Sequence, residues 1–141
     1  MEIAKKISYP VFVEDSGLFI KALNRFPGPY SSYVYQTLGL SGILKLLSSV
    51  QDREAEFKSV IAFCDQKHTL KCFLGSVQGT ISYEARGVSG FGFDPLFEPN
   101  CGGGKTFAEM SVEEKCLISH RGIVLRKFAK WYKKYIRNHT L

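Results

Sequence analysis

Residues 10–18 read PVFVEDSGL, an apolar run that changes into two acidic residues, a serine and a glycine. The run PVFVED is typical of a buried strand that ends in carboxylates. Strand ends in α/β folds are where ligand crevices open. We therefore expect Glu14 and Asp15 to lie where this strand leaves the sheet, beside a binding site.

Residues 14–17 have the chemistry of a metal and phosphate site. Carboxylate oxygens such as those of Glu14 and Asp15 suit Mg²⁺, and a carboxylate beside that ion can orient or deprotonate a water molecule. Ser16 and the small Gly17 would let a phosphate come close. The alternative is a strand that ends in a solvated acidic turn, and this segment alone does not decide between them.

The segments on either side of this strand predict helices. Residues 2–8, EIAKKIS, read as the last turns of a helix. A fold that opens in this way would normally have a partner strand beside the first one, so we expect a front end to be missing. Residues 22–47 begin with Pro27, Gly28 and Pro29 and then show a helical pattern with a pause near Gly39, which predicts two short helices.

The rest of the chain alternates between strand, loop and helix signals. Residues 56–84 contain β-rich runs joined by a polar turn, typical of an antiparallel meander. Residues 85–110 are rich in glycine and aromatic residues, which predicts an ordered loop that lines a pocket. Ser111 and Glu114 match a capping box at the start of a further helix. We expect one mixed α/β domain over residues 1–141.

Composition narrows the function classes. The chain has 141 residues, of which 45% are hydrophobic and 23% charged, as in globular proteins. No window approaches the roughly 18 apolar residues of a membrane span, and the first ten residues lack the core of a signal peptide. We therefore expect a soluble cytoplasmic protein that does not bind membranes.

The basic charge is concentrated in one element. The net charge is +6, but residues 121–141 hold seven basic residues and no acidic one. A terminal helix with a solvated basic face explains this pattern better than a nucleic-acid patch does, because cations late in a helix suit its dipole. The four cysteines form no C-x-x-C pair, so reduced thiols are expected.

Residues 91–95, FGFDP, combine aromatic and permissive residues. A nucleobase could stack on Phe91 or Phe93 while backbone amides near Gly92 read its edge. Asp94 could cap a turn. The alternative is a loop whose phenylalanines only fill the core.

Lys115, His120 and Arg121 lie close together around a predicted helix junction. They could converge on an anion or on the oxygen-bearing edge of a base. Arginine only donates hydrogen bonds, so it pairs with a 6-oxopurine and not with the 6-amino group of adenine. The alternative is that all three are ordinary surface charges.

The segments taken together resemble the Ham1/inosine triphosphate pyrophosphatase family. The matching stretches, in order, are PVFVEDSGL, ALNRFPGPYSSYV, RGVSGFGFDPLFEP and KTFAEMSVEEKCLISHRG. The resemblance implies an elongated, two-lobed α/β fold with a central twisted mixed β-sheet flanked by helices. It also implies a homodimer, with the substrate in the cleft between the lobes.

The resemblance also implies roles for individual residues. Asp15 would bind Mg²⁺ and accept a proton, and Ser16 would touch the substrate. Phe91, Gly92, Phe93 and Asp94 would hold the base, Lys115 would contact the nucleotide, and His120 with Arg121 would read the oxygen-bearing edge. The implied reaction is Mg²⁺-dependent hydrolysis of inosine, deoxyinosine and xanthosine triphosphates to the monophosphate and pyrophosphate.

One family feature is not matched. Family members begin with a strand and a loop of the type [ST]-x-N-x-x-K that grips the triphosphate, and we expect this N-terminal segment to be missing here. The alternative function is therefore a non-catalytic purine-nucleotide-binding or dimerisation remnant. Nucleic-acid binding by the basic C-terminal helix is a third hypothesis.

Overall fold

The computed structural model describes residues 9–67 and 69–139 of the chain. These residues form an α/β fold, as the sequence predicts. The strands are β1 (Val11–Ile20), β2 (Pro27–Gly28), β3 (Glu54–Cys64), β4 (Leu70–Ile81) and β5 (Phe97–Pro99). The α-helices are α1 (Ser31–Thr37), α2 (Gly39–Leu46), α3 (Val112–Ile118) and α4 (His120–His139).

The strands form one sheet in the order β2-β1-β3-β4-β5. Every neighbouring pair among the described strands is antiparallel, so the expectation of a mixed sheet is wrong for this part of the chain. For one pair the physical reason is local, because β3 ends at Cys64 and β4 begins at Leu70, a connection too short for a parallel crossover. The pair β1–β3 is in register from Val11 opposite Cys64 to Ile20 opposite Ala55.

Strand β1 differs from its prediction at both ends. It continues past the acidic residues to Ile20, because Leu18 and Ile20 are fully buried and hold the chain in the sheet. The acidic pair therefore lies in mid-strand, not where the strand leaves the sheet. The apolar start is also less buried than expected, since Phe12 and Val13 are about half exposed (52% and 55%).

The helices agree with the sequence patterns. Two short helices occupy 31–37 and 39–46, and Ser111 forms the predicted capping box with Glu114 at the start of α3. The helix predicted over residues 2–8 lies outside the described residues. Within the described part of the chain, no helix combines the length and the apolar character that crossing a bilayer requires.

The core contains two hydrophobic clusters on one face of the sheet. The larger cluster joins β1, β3 and β4 to α1, α2 and the loops, around Leu18, Phe57 and Phe97. The smaller cluster packs Phe63 of β3 against Phe128 and its neighbours on α4. Helix α4 is therefore fixed on the sheet through its apolar face, and its first turn lies between the two clusters.

Candidate active site

A hollow of about 330 Å³ opens between β1, α1, the loop before β5 and the start of α4. This volume is within the range of small-molecule sites, roughly 300–1,000 Å³. The hollow is lined by eight residues that the sequence singled out: Ser16, Gly17, Phe91, Gly92, Phe93, Asp94, His120 and Arg121. Stretches more than 100 positions apart in sequence thus share one site.

Asp94 holds the loop of the hollow in shape. Its side chain is buried, and its Oδ2 accepts a hydrogen bond from the Phe91 backbone N–H at 2.7 Å. Lys115 of α3 forms an ion pair with the same oxygen at 2.5 Å. Gly90, at φ +76°, leaves room for this carboxylate, because a Cβ there would collide with it. Lys115 does not line the hollow and supports it from behind.

The two phenylalanines of the loop have different environments. Phe91 is 62% exposed, and two cations lie near its ring, with Lys115 Nζ at 4.8 Å and Arg121 Cζ at 4.7 Å from the centroid. Phe93 is buried and packs edge-on against Tyr35 at 5.5 Å. Phe91 thus offers an exposed ring beside two cations, whereas Phe93 belongs to the wall and the core.

His120 is a buried polar residue with an unused hydrogen-bonding atom. Its ring stacks on Phe57 at 4.6 Å with an interplanar angle of 9°. Burial, followed by the charges of Arg121 and Lys115, lowers the pKa of His120 to about 4. Its Nδ1 is buried and has no hydrogen-bond partner among the described residues. A neutral imidazole therefore lines the hollow, and its Nδ1 has no hydrogen-bond partner among the described residues.

Gly75 of β4 lets helix α4 begin directly on the sheet. A Cβ at this position would collide with the His120 carbonyl oxygen and would lie 2.7 Å from the Val124 backbone nitrogen. The hydroxyl of Ser119 accepts a hydrogen bond from the Gly122 N–H at 3.1 Å and so caps this helix start. The close contact places His120 and Arg121 against the hollow.

Glu14 lies in a hydrogen-bond network with Arg121. Its Oε1 accepts from Arg121 Nε at 3.1 Å, from Ser59 Oγ at 2.5 Å, and from Ser16 Oγ. Burial raises the pKa of Glu14, but the hydrogen bonds from Ser16, Ser59 and Arg121 outweigh it and leave that pKa below its usual value. Glu14 is therefore an ionised partner of the arginine.

Asp15 is on the other face of β1. Successive side chains of a strand point to opposite faces, so Asp15 and Glu14 diverge. Asp15 is exposed, pairs across the sheet with Val60, and is not among the residues that line the hollow. Among the described residues, its Oδ1 accepts a hydrogen bond from the Ser16 backbone N–H alone, at 2.9 Å. Among residues 9–67 and 69–139, no cluster of three or more His, Cys, Asp or Glu side chains could hold a metal ion.

Helix α1 and strand β3 contribute residues that sequence reasoning missed. Ser31, Ser32 and Tyr35 of α1 and Phe57 of β3 line the hollow. Ser31 ties α1 to β1, because its Oγ accepts from the Leu18 N–H at 2.8 Å and donates to the Gly28 carbonyl at 2.7 Å. The available sequence signal was the pair of serines at a helix start after PGPY. Nothing in the local sequence shows that these serines face the hollow.

Comparison with known proteins identifies the family. The Ham1 family model matches residues 1–131 of this chain. The chain belongs to the Ham1 family. Its fold agrees with that assignment, because the Ham1 protein of Staphylococcus aureus superposes with a TM-score of 0.88 at 32% identity, covering 95% of this chain and 72% of that one.

Other Ham1-family relatives carry an activity in their names. The dITP/XTP pyrophosphatase of Methanopyrus kandleri is 53% identical over 94% of this chain and 70% of its own length. The enzyme of the same name from Pyrococcus horikoshii is 55% identical over 91% of this chain and 68% of its own length. Both alignments cover more than two thirds of the relative.

Proposed function

We propose that this Ham1-family chain hydrolyses non-canonical purine nucleoside triphosphates to the monophosphate and pyrophosphate. The observation that carries the proposal is the hollow with an exposed aromatic face at Phe91, a cationic donor at Arg121 and a neutral imidazole at His120. The names of relatives above 50% identity, dITP/XTP pyrophosphatase, point to the same substrates.

Base recognition follows from the chemistry of these side chains. A purine can stack on the exposed ring of Phe91, a contact worth about 1–3 kcal/mol for a base on an aromatic ring. The guanidinium of Arg121 donates to a 6-oxo group and faces the amino group of adenine with a donor against a donor. His120 can donate or accept in its neutral form. The hollow therefore favours hypoxanthine and xanthine over adenine.

Hydrolysis requires a water molecule to attack the α-phosphorus. The water oxygen forms the new bond to phosphorus, the bond to the oxygen that bridges to the β-phosphorus breaks, and pyrophosphate leaves. Asp15 would take the proton of the water. It directly precedes Ser16 and Gly17, which line the hollow.

We propose Mg²⁺ as the cofactor. This ion is usually held by one or two carboxylates together with substrate phosphates, so the exposed Asp15 carboxylate fits it without a complete protein cage. Asp15 would hold the ion, and Glu14 has a second oxygen, Oε2, that makes no hydrogen bond among the described residues. When bound, the ion neutralises phosphate charge and makes water more acidic.

A second candidate is nucleotide binding without hydrolysis. It is favoured by one observation, that Asp15 does not line the hollow in which the base-reading residues meet.

We also propose a homodimer in the cytoplasm. The apolar residues Val13, Val60 and Leu74, which are exposed on the outer face of the sheet, are consistent with a subunit contact.

Pyrophosphate release tests the proposed function. The chain is incubated with Mg²⁺ and deoxyinosine, xanthosine or deoxyadenosine triphosphate, and pyrophosphate and monophosphate are measured. We expect equal amounts of both products from the first two substrates and much less from the third. Binding of deoxyinosine triphosphate with no product would favour the second candidate, and neither binding nor product would contradict both.

A further inference from the structure

The guanidinium of Arg121 is held at one atom only. Its Nε is shared between Glu14 Oε1 and Ser16 Oγ, each at 3.1 Å. Neither terminal nitrogen of this guanidinium makes a hydrogen bond to any residue in 9–67 or 69–139. The arginine is therefore fixed in direction while its other donors stay available.

The carboxylate that holds Arg121 is itself fixed by the sheet. Ser16 of β1 and Ser59 of β3 are direct cross-strand partners, and both donate a hydrogen bond to Glu14 Oε1. Ser59 is fully buried, so this anchor belongs to the rigid part of the molecule. One oxygen thus connects two strands to the first turn of α4.

The helix side of the contact is equally constrained. Gly75, the partner of Ser59 on β4, brings the start of α4 against the sheet. Arg121 then extends over the Phe91 ring, with Cζ at 4.7 Å from the centroid. A long, flexible arginine pays entropy when it is ordered, and an ionised partner at Nε removes part of that cost before a ligand arrives.

We propose that Glu14 is a positioning residue, which orients the guanidinium of Arg121 through Nε so that its terminal nitrogens meet the 6-oxo edge of a purine. This role rests on the proposed function and makes Glu14 part of base selectivity. It assigns Oε1, which is committed to three donors, to Arg121, and is separate from the expectation that Glu14 also holds a metal ion through Oε2.

A double-mutant cycle tests this role. The variants are Glu14→Ala, Arg121→Ala and the double variant, and the readout is the ratio of kcat/KM for deoxyinosine over deoxyadenosine triphosphate. We expect Glu14→Ala to lower this ratio about tenfold or more, as loss of a charge-assisted hydrogen bond does. We expect the double variant to match Arg121→Ala alone, because the two side chains act as a unit.

Two matched variants separate positioning from folding and from charge. Glu14→Gln keeps an oxygen that can accept from Arg121 Nε, so we expect it to recover most of the selectivity. Glu54→Ala removes a strand carboxylate that pairs with Lys21 at 2.7 Å outside the hollow, so the ratio should be unchanged. An additive double variant would overturn the proposal. An unchanged ratio with a raised Mg²⁺ midpoint in Glu14→Ala would also overturn it, in favour of a metal ligand.

The same cycle separates this proposal from the proposed function. If the wild-type chain binds deoxyinosine triphosphate without hydrolysis, the readout becomes the ratio of the two dissociation constants from calorimetry without metal. Glu14→Ala should then weaken deoxyinosine triphosphate binding about tenfold or more and leave deoxyadenosine triphosphate binding unchanged. Equal weakening of both ligands would overturn the role of Glu14 whatever the activity.

Discussion

The base-reading side of the hollow and the acidic segment of β1 are organised in different ways. On the base-reading side, residues from a loop and from α4 converge on Phe91, and the buried ion pair of Asp94 and Lys115 supports them. In the acidic segment, neighbouring strand residues point to opposite faces, so Glu14 joins Arg121 and Asp15 faces solvent. Side chains from distant elements therefore meet in one place, whereas two neighbouring residues of a strand point away from each other.

The largest effect on activity is expected at Asp15, in the acidic segment of β1. If Asp15 takes the proton of the attacking water, Asp15→Asn should lower kcat about 10²–10⁴-fold, the usual contribution of a general base. At saturating Mg²⁺, KM for deoxyinosine triphosphate should change less than kcat, because the base-reading residues are intact. Steady-state pyrophosphate release measures both constants.

The control for Asp15 is another exposed carboxylate. Asp52 pairs with Lys21 at 3.1 Å, away from the hollow, so Asp52→Asn should leave kcat unchanged. Full activity of Asp15→Asn would show that the solvent-facing orientation of Asp15 persists in the working enzyme and that another group takes the proton.

The next largest effect is expected when Lys115, which supports the loop with Phe91 and Asp94, is replaced. Lys115→Met leaves the buried Asp94 carboxylate without its cation, and breaking such a pair costs about 3–5 kcal/mol of folding free energy. Since the Lys115 side chain is 17% exposed, the lower end is expected. Urea unfolding gives the value. The double variant with Asp94→Asn should recover part of the loss, and an unchanged midpoint in Lys115→Met would contradict the supporting role.

His120 should make stability depend on pH. Its pKa is lowered from 6.5 to about 4 in the folded chain. Between these two pH values the imidazole is therefore protonated in the unfolded chain and neutral in the folded chain. Stability is therefore lost as pH falls through this window, by on the order of 3 kcal/mol. His120→Asn should show a correspondingly smaller loss in urea midpoints between pH 7 and pH 4. Parallel curves for the two proteins would mean that the imidazole is solvated.

The smallest effect is expected at Phe91, and Phe93 of the same loop provides the contrast. Phe91→Ala removes an exposed stacking face and should weaken deoxyinosine triphosphate binding by about 1–3 kcal/mol with little change in stability. Phe93→Ala removes a buried ring and should cost about 3–5 kcal/mol of stability. Calorimetry and urea unfolding measure the pair, and the reverse pattern would exchange their roles.

Much of the fold could be predicted because its signals are local. The breakers before α1, the capping box of Ser111 and Glu114, and the polar turn between β3 and β4 each specify their own element. The end of β1 could not be predicted from the acidic pair alone. Leu18 and Ile20 continue the strand because the core buries them, and that burial depends on distant residues.

The residues that line the hollow could be predicted in part, and its geometry could not. Eight of the residues singled out from the sequence line the hollow, and six of them lie in FGFDP and SHR, which combine chemistry with short spacing. The buried Nδ1 of His120, the contact of α4 with Gly75 and the bond between Glu14 and Arg121 are long-range features. No local pattern encodes them. Successive side chains of β1 point to opposite faces, so Glu14 and Asp15 are separated although they are neighbours in sequence.

The most direct test of base recognition by the hollow is a calorimetric titration of the wild-type chain with deoxyinosine and deoxyadenosine triphosphate, without metal. The hollow predicts that the 6-oxopurine binds at least about tenfold more tightly, because Arg121 and His120 meet its oxygen-bearing edge. Equal affinity for the two nucleotides would contradict the claim that these residues form a base-reading site.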